Sequence, residues 1–350
     1  MTQQALVGVD VGGTRIKVVA LARGAADGTA TQDPTPLAEA VLPTPRDIGS
    51  RMGEVVREAV DALHVEASVA AIGVVVPGLV EERSGLARYS ANLGWRDLPV
   101  VEHVRAATGV EVGFGHDVRA GLLGESRYGA ARLRDDVLFV PLGTGVAGAL
   151  LSGGRLVLGS EWTGEIGHVV VDPAGPPCGC GARGCLEVVA GAAALGRAWS
   201  EVTGQRVGAD DLAHAVAQGE KRAVALWQHA VRVLTDVVAP VLAGAGSRLL
   251  LLGGGLSNAG SLLTEPVTER LRLLMPGREI EVAVASLGDR AAALGAVALA
   301  ADALAADALA ADALAADALA ADALAADALA DDALAADAPA RDTVGAEEQS

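Results

Sequence analysis

The sequence contains few cysteines, and their number and positions restrict both the fold and the compartment. Only three occur in 350 residues, at Cys178, Cys180 and Cys185. An odd number does not suit a disulfide framework, and a bond between Cys178 and Cys180 would be badly strained. We therefore expect thiols or metal ligands in a protein of the reducing cytoplasm.

The chain also lacks a basic stripe. Its net charge is −17, and residues 301–350 contribute −11 through ten Asp and two Glu against one Arg. That leaves −6 for the first 300 residues, so most of the acidity belongs to the C-terminal segment. No cluster of Lys and Arg presents itself to a phosphate backbone, and we expect no nucleic-acid partner.

Targeting signals are absent as well. The N-terminus, MTQQALVGVDVGG, has no basic segment followed by a long apolar run, which a secretory signal requires. No uncharged apolar stretch approaches the roughly 20 residues that cross a bilayer. These patterns predict a cytoplasmic protein without a membrane partner.

The pattern of strands and helices occurs twice along the chain. LVGVDVGGTRIKVVAL, near the start, has the pattern of a strand, a glycine turn and a second strand, and DDVLFVPLGTGVAGALLSGGRLVLG repeats it from residue 135. Apolar residues at helical spacing follow each block. The chain therefore has an internally duplicated α/β plan, with a cleft between the halves. Helices are predicted near residues 48–63, 188–200, 209–218 and 220–243.

The C-terminal segment has low complexity. Leucine recurs every five residues through Leu334. Five residues advance about 140° around a helix, so these leucines form no apolar stripe and no coiled-coil seam. We expect a solvated, partly helical extension, of which only residues 289–304 dock on the body.

One glycine turn follows an acidic residue near the N-terminus. DVGGTRIK places Asp10 before Gly12 and Gly13, with Thr14 and Lys17 behind them. Glycines let backbone N–H groups approach phosphate oxygens, and a carboxylate can hold Mg2+ through water. The sequence is not a Walker A loop. An ordinary hairpin with a surface lysine is the alternative interpretation.

Two further glycine turns occur in the second half. GTGVAG, residues 143–148, matches the dinucleotide fingerprint, but a hairpin follows it instead of a helix, so we reject a Rossmann fold. A phosphate-facing turn with Gly143 and Thr144 is more natural. GGGLSN contains Gly254 and Gly255 after a buried strand, and it would let a base or ribose lie on backbone.

Polar residues at predicted strand ends suggest catalysis. Asp117 comes where strand 110–115 ends and a helix begins, and it could accept the proton of a hydroxyl that attacks a phosphoryl group. Its alternative role is a helix N-cap. Asn92, in SANLGW, could orient a hydroxyl or simply occupy a turn.

The three cysteines need one more ligand for a tetrahedral zinc site. Of the six histidines, four lie in helical patterns and His116 adjoins Asp117. His168 remains, ten residues before the first cysteine. We therefore predict a structural Cys3His zinc site, since four protein ligands leave no open position. Buried free thiols are the alternative.

Two acidic residues flank this loop, Glu165 before it and Glu187 behind it. A metal that fixes the loop would aim both carboxylates at one place. Several carboxylates that converge on a polyol match the acceptors that sugar hydroxyls need.

These motifs together resemble the ROK family of bacterial sugar kinases and repressors. DVGGTRIK, VVVPGLV, SANLGW, HDVRAGLLGE, LGTGVAG, EIGH, CGCGARGCLE and LLGGGLSNAG occur in the family's order over residues 5–300. The resemblance implies an actin- and hexokinase-like (ribonuclease H-like) α/β fold of two domains around a cleft. It implies lobes at 1–117 with 289–304 and at 118–288, followed by a tail at 305–350.

The resemblance also assigns roles to residues. It implies ATP phosphates flanked by turn 12–14 and by Gly143 and Thr144, with Gly254 and Gly255 near adenosine. Asp117 matches the catalytic base. The sugar-binding positions are Asn92, Glu165, His168 and Glu187, and the zinc ligands are His168, Cys178, Cys180 and Cys185.

We therefore predict a Mg2+- and ATP-dependent hexose 6-kinase, with glucose as the leading substrate, in a homo-oligomer (dimer or tetramer). N-acetylglucosamine or N-acetylmannosamine kinase is the alternative, and a sugar-binding regulator without catalysis is another. Family repressors carry an N-terminal helix-turn-helix, and the residues before Leu6 leave no room for one, so we do not expect a repressor of this kind. Two residues depart from the family pattern, since His116 replaces Asn before Asp117, and Ala147 replaces a glycine of the phosphate turn.

Overall fold

The computed structural model describes residues 3–25, 34–90 and 92–310. Contacts divide the chain into two units, Met1–Leu304 and Ala305–Ser350. The strands are β1 Gln4–Val11, β2 Arg15–Ala22, β3 Ala38–Pro43, β4 Ser68–Val76, β5 Leu79–Glu81, β6 Leu86–Ser90, β7 Trp95–Pro99, β8 Glu111–His116, β9 Val137–Pro141, β10 Ala149–Ser152, β11 Arg155–Leu156, β12 Leu249–Gly253 and β13 Glu281–Val284. The helices are α1 Ile48–Asp61, α2 Val100–Thr108, α3 Asp117–Tyr128, α4 Leu186–Ala190, α5 Ala192–Thr203, α6 Ala209–Ala217, α7 Lys221–Ala245 and α8 Ser261–Leu274, with α9 at residues 291–310.

Two five-stranded sheets have the same topology. The first has the order β3-β2-β1-β4-β8 and the second β11-β10-β9-β12-β13. In each sheet the first three strands are antiparallel, and the last two pair in parallel with the strand before them. The duplicated α/β plan predicted from the glycine turns is therefore confirmed.

Continuous apolar runs form the central parallel strands, because helices cover both faces of such sheets. All residues of β12 are buried. In β4, residues 71–76 are buried, and only the first three residues, 68–70, are not. The predicted helix over residues 188–200 is two helices, α4 and α5. Gly191 separates them with an extended backbone, at φ −67° and ψ 154°.

A third sheet of three short strands, β5-β6-β7, was not predicted from the sequence. Its strands have three to five residues, too few for a clear alternation of apolar and polar side chains. The turn between β6 and β7 carries Asn92, so this small sheet positions a residue of the predicted site.

Helix α3 packs between the two large sheets, and α9 packs against the first sheet and against α3. Leu122 of α3 belongs to a core cluster with Val137 and Phe139 of the second sheet, whereas Ala120 packs with Val75 of the first. Helix α9 lies directly on the first sheet. A Cβ on Gly73 would come within 1.8 Å of the Ala296 carbonyl oxygen, so this close approach requires glycine.

Helix α9 also bears on the membrane prediction. The helix Gly288–Ala310 is long and apolar enough to span a bilayer by length and composition, with a mean hydropathy of 1.7. The prediction concerned uncharged stretches, and it is not contradicted, because this helix contains Asp289, Arg290, Asp302 and Asp307. Ala293, Leu294, Ala296, Val297 and Ala300 are nevertheless fully buried inside the fold, which accounts for the apolar composition.

The predicted C-terminal tail lies largely outside the described residues. Residues 305–310 of the second unit are helical, and Leu309 is exposed. The prediction of a solvated, low-complexity extension concerns mainly residues 311–350, and it stays a prediction.

Candidate active site

A cavity of about 640 Å3 brings together the residues predicted to bind a sugar. Its walls include all five of them, together with Gly143 of the second glycine turn. The volume lies within the range of small-molecule sites. The five come from the β6–β7 turn, the start of α3, the cysteine loop and α4. They are Asn92, Asp117, Glu165, His168 and Glu187.

Asp117 is the first residue of α3 and not its cap. The N-cap is His116, whose Nδ1 accepts the Val118 amide proton at 3.2 Å. The Asp117 carboxylate accepts from the same amide at 2.7 Å, and 29% of its side chain stays exposed toward the cavity. Because His116 caps the helix, the alternative role of Asp117 loses its main support.

The surroundings of Asp117 suit a proton acceptor. Burial raises the pKa of Asp117 from 3.8 to about 6, while the Val118 amide and the Arg119 guanidinium oppose the shift. Asp117 is therefore ionised at neutral pH but remains a usable base. Burial and the charge of Arg119 lower the pKa of His116 to about 3. The unusual histidine is thus a neutral cap that brings no charge to Asp117.

The two acidic residues that flank the cysteine loop lie in the same cavity. Burial raises the pKa of Glu165, and the nearby His168 opposes this. Glu187 accepts the Val146 amide proton at 3.2 Å. A Cβ on Gly145 would lie 2.4 Å from Glu187 Oε2, so a side chain at this position would displace the carboxylate.

The cysteine loop assembles four donors of the kind that bind zinc. The donor atoms of His168, Cys178, Cys180 and Cys185 all lie within 4.8 Å of one another. Cys178 Sγ is 3.5 Å from His168 Nδ1, and Cys180 Sγ is 3.6 Å from Cys185 Sγ. A tetrahedral ion with Zn–S distances of about 2.3 Å needs sulfurs about 3.8 Å apart, so the donor set fits zinc.

His168 connects this cluster to the cavity. Its Nδ1 faces the sulfurs, whereas its Nε2 lies 3.6 Å from Glu165 Oε2. A histidine that binds a metal through one nitrogen commonly donates the other to a carboxylate. One ring can therefore belong to the metal cluster and also line the cavity.

The first glycine turn follows Asp10, which lies near Asp117. Burial and the nearby charge of Asp117 raise the pKa of Asp10 to about 7, and Lys17 opposes them. Lys17 Nζ donates to the Asp289 carbonyl at 3.0 Å. Gly13 and Thr14 stay exposed at the tip of the turn, and the Gly12 carbonyl accepts from Thr44. The like charge of Asp117 disfavours the ionised form of Asp10, which is why it adds to the effect of burial.

The other two glycine turns are neighbours at the end of the second sheet. The Leu142 amide donates to Gly253, and the Leu256 amide donates to the Leu142 carbonyl. Gly143 faces the first cavity, and Gly255 faces a second one of about 630 Å3 between α5 and α6. Thr144 is exposed beside them. Each turn thus contributes to one of the two cavities, and Ala147 lies in the wall of the first.

The sequence interpretation missed several residues of this region. Tyr89 and Trp162 are exposed aromatic side chains in the cavity wall. Arg119 is 3% exposed and pairs with Glu82, 37 positions earlier in the chain. The charged Arg119 in the apolar run VRAGLL was the available signal for this pair. Nothing in the sequence pointed to Asp289.

Comparison with known proteins agrees with this geometry. The ROK family model matches residues 6–303. A glucokinase of Thermotoga maritima is 31% identical over 85% of this chain and 97% of its own. An N-acetylmannosamine kinase of Citrobacter koseri is 32% identical over 64% of this chain and 77% of its own.

A solved structure extends the likeness to three dimensions. The ROK family glucokinase of Streptomyces griseus, in complex with glucose and AMPPNP, superposes with a TM-score of 0.71 at 27% identity. The alignment covers 85% of this chain and 99% of that one. On the strength of the family match, the shared fold and these relatives, the chain belongs to the ROK family and is a sugar kinase with the actin- and hexokinase-like fold.

Proposed function

We propose that the protein transfers the γ-phosphoryl group of ATP to the 6-hydroxyl of a hexose, with glucose as the preferred substrate. The convergence of five polar side chains on one cavity, with Asp117 among them, carries the proposal. Asn92, Glu165, His168 and Glu187 accept and donate hydrogen bonds to the ring hydroxyls. The glucokinase relative and the glucose complex of a second one favour glucose.

The chemical step follows from the state of Asp117. Its carboxylate accepts the proton of the 6-hydroxyl while that oxygen forms a bond to the γ-phosphorus. The bond from this phosphorus to the bridging oxygen breaks, and ADP leaves. With a pKa of about 6, Asp117 is ionised before the step and can release the proton to solvent afterwards.

The nucleotide is expected at the glycine turns. Gly12, Gly13 and Thr14 on one side and Gly143 and Thr144 on the other would donate backbone and hydroxyl hydrogens to the phosphates. Gly254 and Gly255 would receive adenosine, and the cavity beside Gly255 offers about 630 Å3. Lys17 adds a positive charge to this side of the site.

Two metals fit the residues present. Asp10 is a buried carboxylate beside Asp117, and it would hold Mg2+ through water. The ion would neutralise phosphate charge. His168 and the three cysteines would hold a structural zinc, which stabilises the loop between Glu165 and Glu187.

The proposal includes the organisation into lobes. Residues 1–117 with 289–304 would form one lobe and residues 118–288 the other, with the sugar cavity between them. Closure of the lobes would exclude water and so prevent hydrolysis of ATP.

An ADP-release assay over a panel of sugars tests the function. We expect the highest kcat/KM for glucose, and no turnover of 6-deoxyglucose, which binds but lacks the accepting hydroxyl. Absence of turnover on every hexose would overturn the proposal. The N-acetylmannosamine kinase relative supports a second candidate, which a higher kcat/KM for that amino sugar would establish.

A further inference from the structure

A buried ion pair lies directly beneath the proposed site. Arg119 Nε donates to Glu82 Oε1 at 2.7 Å, and the two side chains are only 3% and 13% exposed. Arg119 Nη1 donates to the Thr163 carbonyl at 2.9 Å. The same Glu82 oxygen accepts the His116 amide proton at 3.1 Å. One guanidinium thus connects three distant segments.

Each of these segments adjoins a residue of the site. His116 and Arg119 flank Asp117 at the junction of β8 and α3. Thr163 precedes Glu165 by two residues. Glu82 follows β5, a few residues after Pro77 and Gly78 in the cavity wall. Since α3 packs against both large sheets, the pair acts where the two halves of the molecule meet.

Stability alone does not account for this pair. A buried ion pair often contributes no more stability than apolar residues of similar volume, because its charges lose their hydration. Its position has another consequence, since the guanidinium charge partly offsets the rise in the pKa of Asp117 that burial causes. The other ionisable groups near Asp117 are Asp10, Glu165 and the neutral His116, none of which is a cation, whereas Arg119 acts on Asp117 as one.

We infer that Arg119, anchored by Glu82, is a positioning residue that holds the segments carrying Asp117 and Glu165 in one geometry and places a positive charge near Asp117. The inference rests on the proposed kinase function. Arg119 acts through its neighbours, because it donates to Glu82 and Thr163 and does not line the cavity.

Four variants separate positioning from folding. Arg119→Met should lower kcat about 100-fold, which is the cost of misplacing reacting groups by roughly 1 Å. In the pH profile of kcat/KM, the midpoint of the acid limb should move up by about one pH unit, because Asp117 loses its neighbouring cation. Arg119→Lys should restore the wild-type midpoint of the acid limb but not the wild-type kcat. Lysine keeps the positive charge but cannot donate to Glu82 and Thr163 in the geometry of a guanidinium.

Changes at Glu82 complete the test. Glu82→Gln weakens the anchor of Arg119, so kcat should fall about tenfold. The guanidinium charge stays, so the midpoint of the acid limb should not move up. Glu82→Leu with Arg119→Met should have a melting temperature near wild type, because both charges are gone. Its kcat should stay as low as that of Arg119→Met alone. A purely structural pair would instead recover kcat together with stability.

The outcomes distinguish this inference from the function on which it rests. If Arg119→Met or the double variant melts like wild type and keeps the wild-type kcat and acid limb, the positioning role is overturned while the kinase stands. If the wild-type protein turns over no sugar, the proposed function fails first. If the double variant recovers wild-type kcat, the pair serves folding alone.

Discussion

The two large sheets share one strand order, yet their ends carry different chemistry. The first presents carboxylates, with Asp10 near the end of β1 and Asp117 after β8, and burial raises the pKa of both. The second presents backbone N–H groups, which belong to the glycine turns after β9 and β12. A repeated topology therefore supplies equivalent positions without fixing what they do.

The difference suits the proposed function, which requires a site for a neutral sugar and a site for an anionic nucleotide. Carboxylates accept hydrogen bonds from hydroxyls, whereas N–H groups at glycine turns favour phosphate. The cysteine loop, inserted after β11, adds the acidic residues Glu165 and Glu187 to the second half. Variants in either sheet test this difference, and loss of the proposed base, Asp117, should have the largest effect.

Replacing Asp117 with Asn should abolish the contribution of the first sheet to the chemistry. The amide cannot accept the hydroxyl proton, so kcat should fall about 1,000-fold, as for removal of a general base. Glucose binding, followed by calorimetry, should change little because the amide keeps the shape of the carboxyl group. A kcat within tenfold of wild type would remove Asp117 from the role of base.

Replacing Asp10 with Asn should separate function from stability in the same sheet. We expect kcat to fall about 100-fold, because the carboxylate that would hold the cation is lost. The pKa of Asp10 is raised from 3.8 to about 7, so the folded state disfavours the ionised form. The variant should therefore melt at least about 2 °C higher at pH 8, and this gain should disappear toward pH 4.

An unchanged or lower melting temperature of Asp10→Asn at pH 8 would contradict that account. Leu6→Ala, at a fully buried position in the same strand, is the matched control. It should destabilise the protein at every pH by about 2–5 kcal/mol, since it removes core volume and no charge.

The metal loop of the second half should affect the sugar and not the nucleotide. Cys185→Ser should lower bound zinc well below about one ion per chain, measured by elemental analysis. We expect a melting temperature at least about 5 °C lower and an increased KM for glucose, with the KM for ATP near wild type. Val169→Ala, next to His168 but with an exposed side chain, should retain zinc and activity.

The sequence predicted the duplicated sheets and the residues of the cavity because both depend on local signals. Asn92, Glu165 and Glu187 lie in short motifs, and apolar runs bounded by glycine mark the strands. The predicted roles of these residues stay predictions. The pair of Arg119 and Glu82 could not be found in this way, because its partners meet only after the chain folds.

Long-range partners of other polar residues were hidden for the same reason. Glu125 is completely buried and accepts from the Leu287 amide at 2.8 Å and from the Ala130 amide at 2.7 Å. It therefore ties α3 to the segment that precedes α9. A sequence window around Glu125 contains only the second of these donors. The β5–β7 sheet was missed because its strands are too short to show a period.

Two glycines of one turn offer a finer test of the second sheet. Gly145→Ala would place its Cβ 2.4 Å from Glu187 Oε2 and displace that carboxylate, so the KM for glucose should rise about tenfold. Gly143→Ala meets no atom within 4 Å, and it should alter only the KM for ATP. Equal effects of both changes on the two substrates would show that the turn does not separate them.

We expect the smallest effect from changes in the C-terminal repeat, which follows the two sheets in the chain. The family match ends at residue 303, and the first compact unit ends at Leu304. The preceding part of α9, in contrast, lies directly against Gly8 and Gly73 of the first sheet. Removing residues 307–350 should therefore change kcat/KM by less than about twofold, since the repeat has no apolar stripe with which to pack. Removal from residue 291 onward should leave no soluble enzyme, because the first sheet would lose the helix that covers it. If the shorter truncation also lost most activity, the repeat would be part of the working enzyme, and its acidic charge would be the first property to vary.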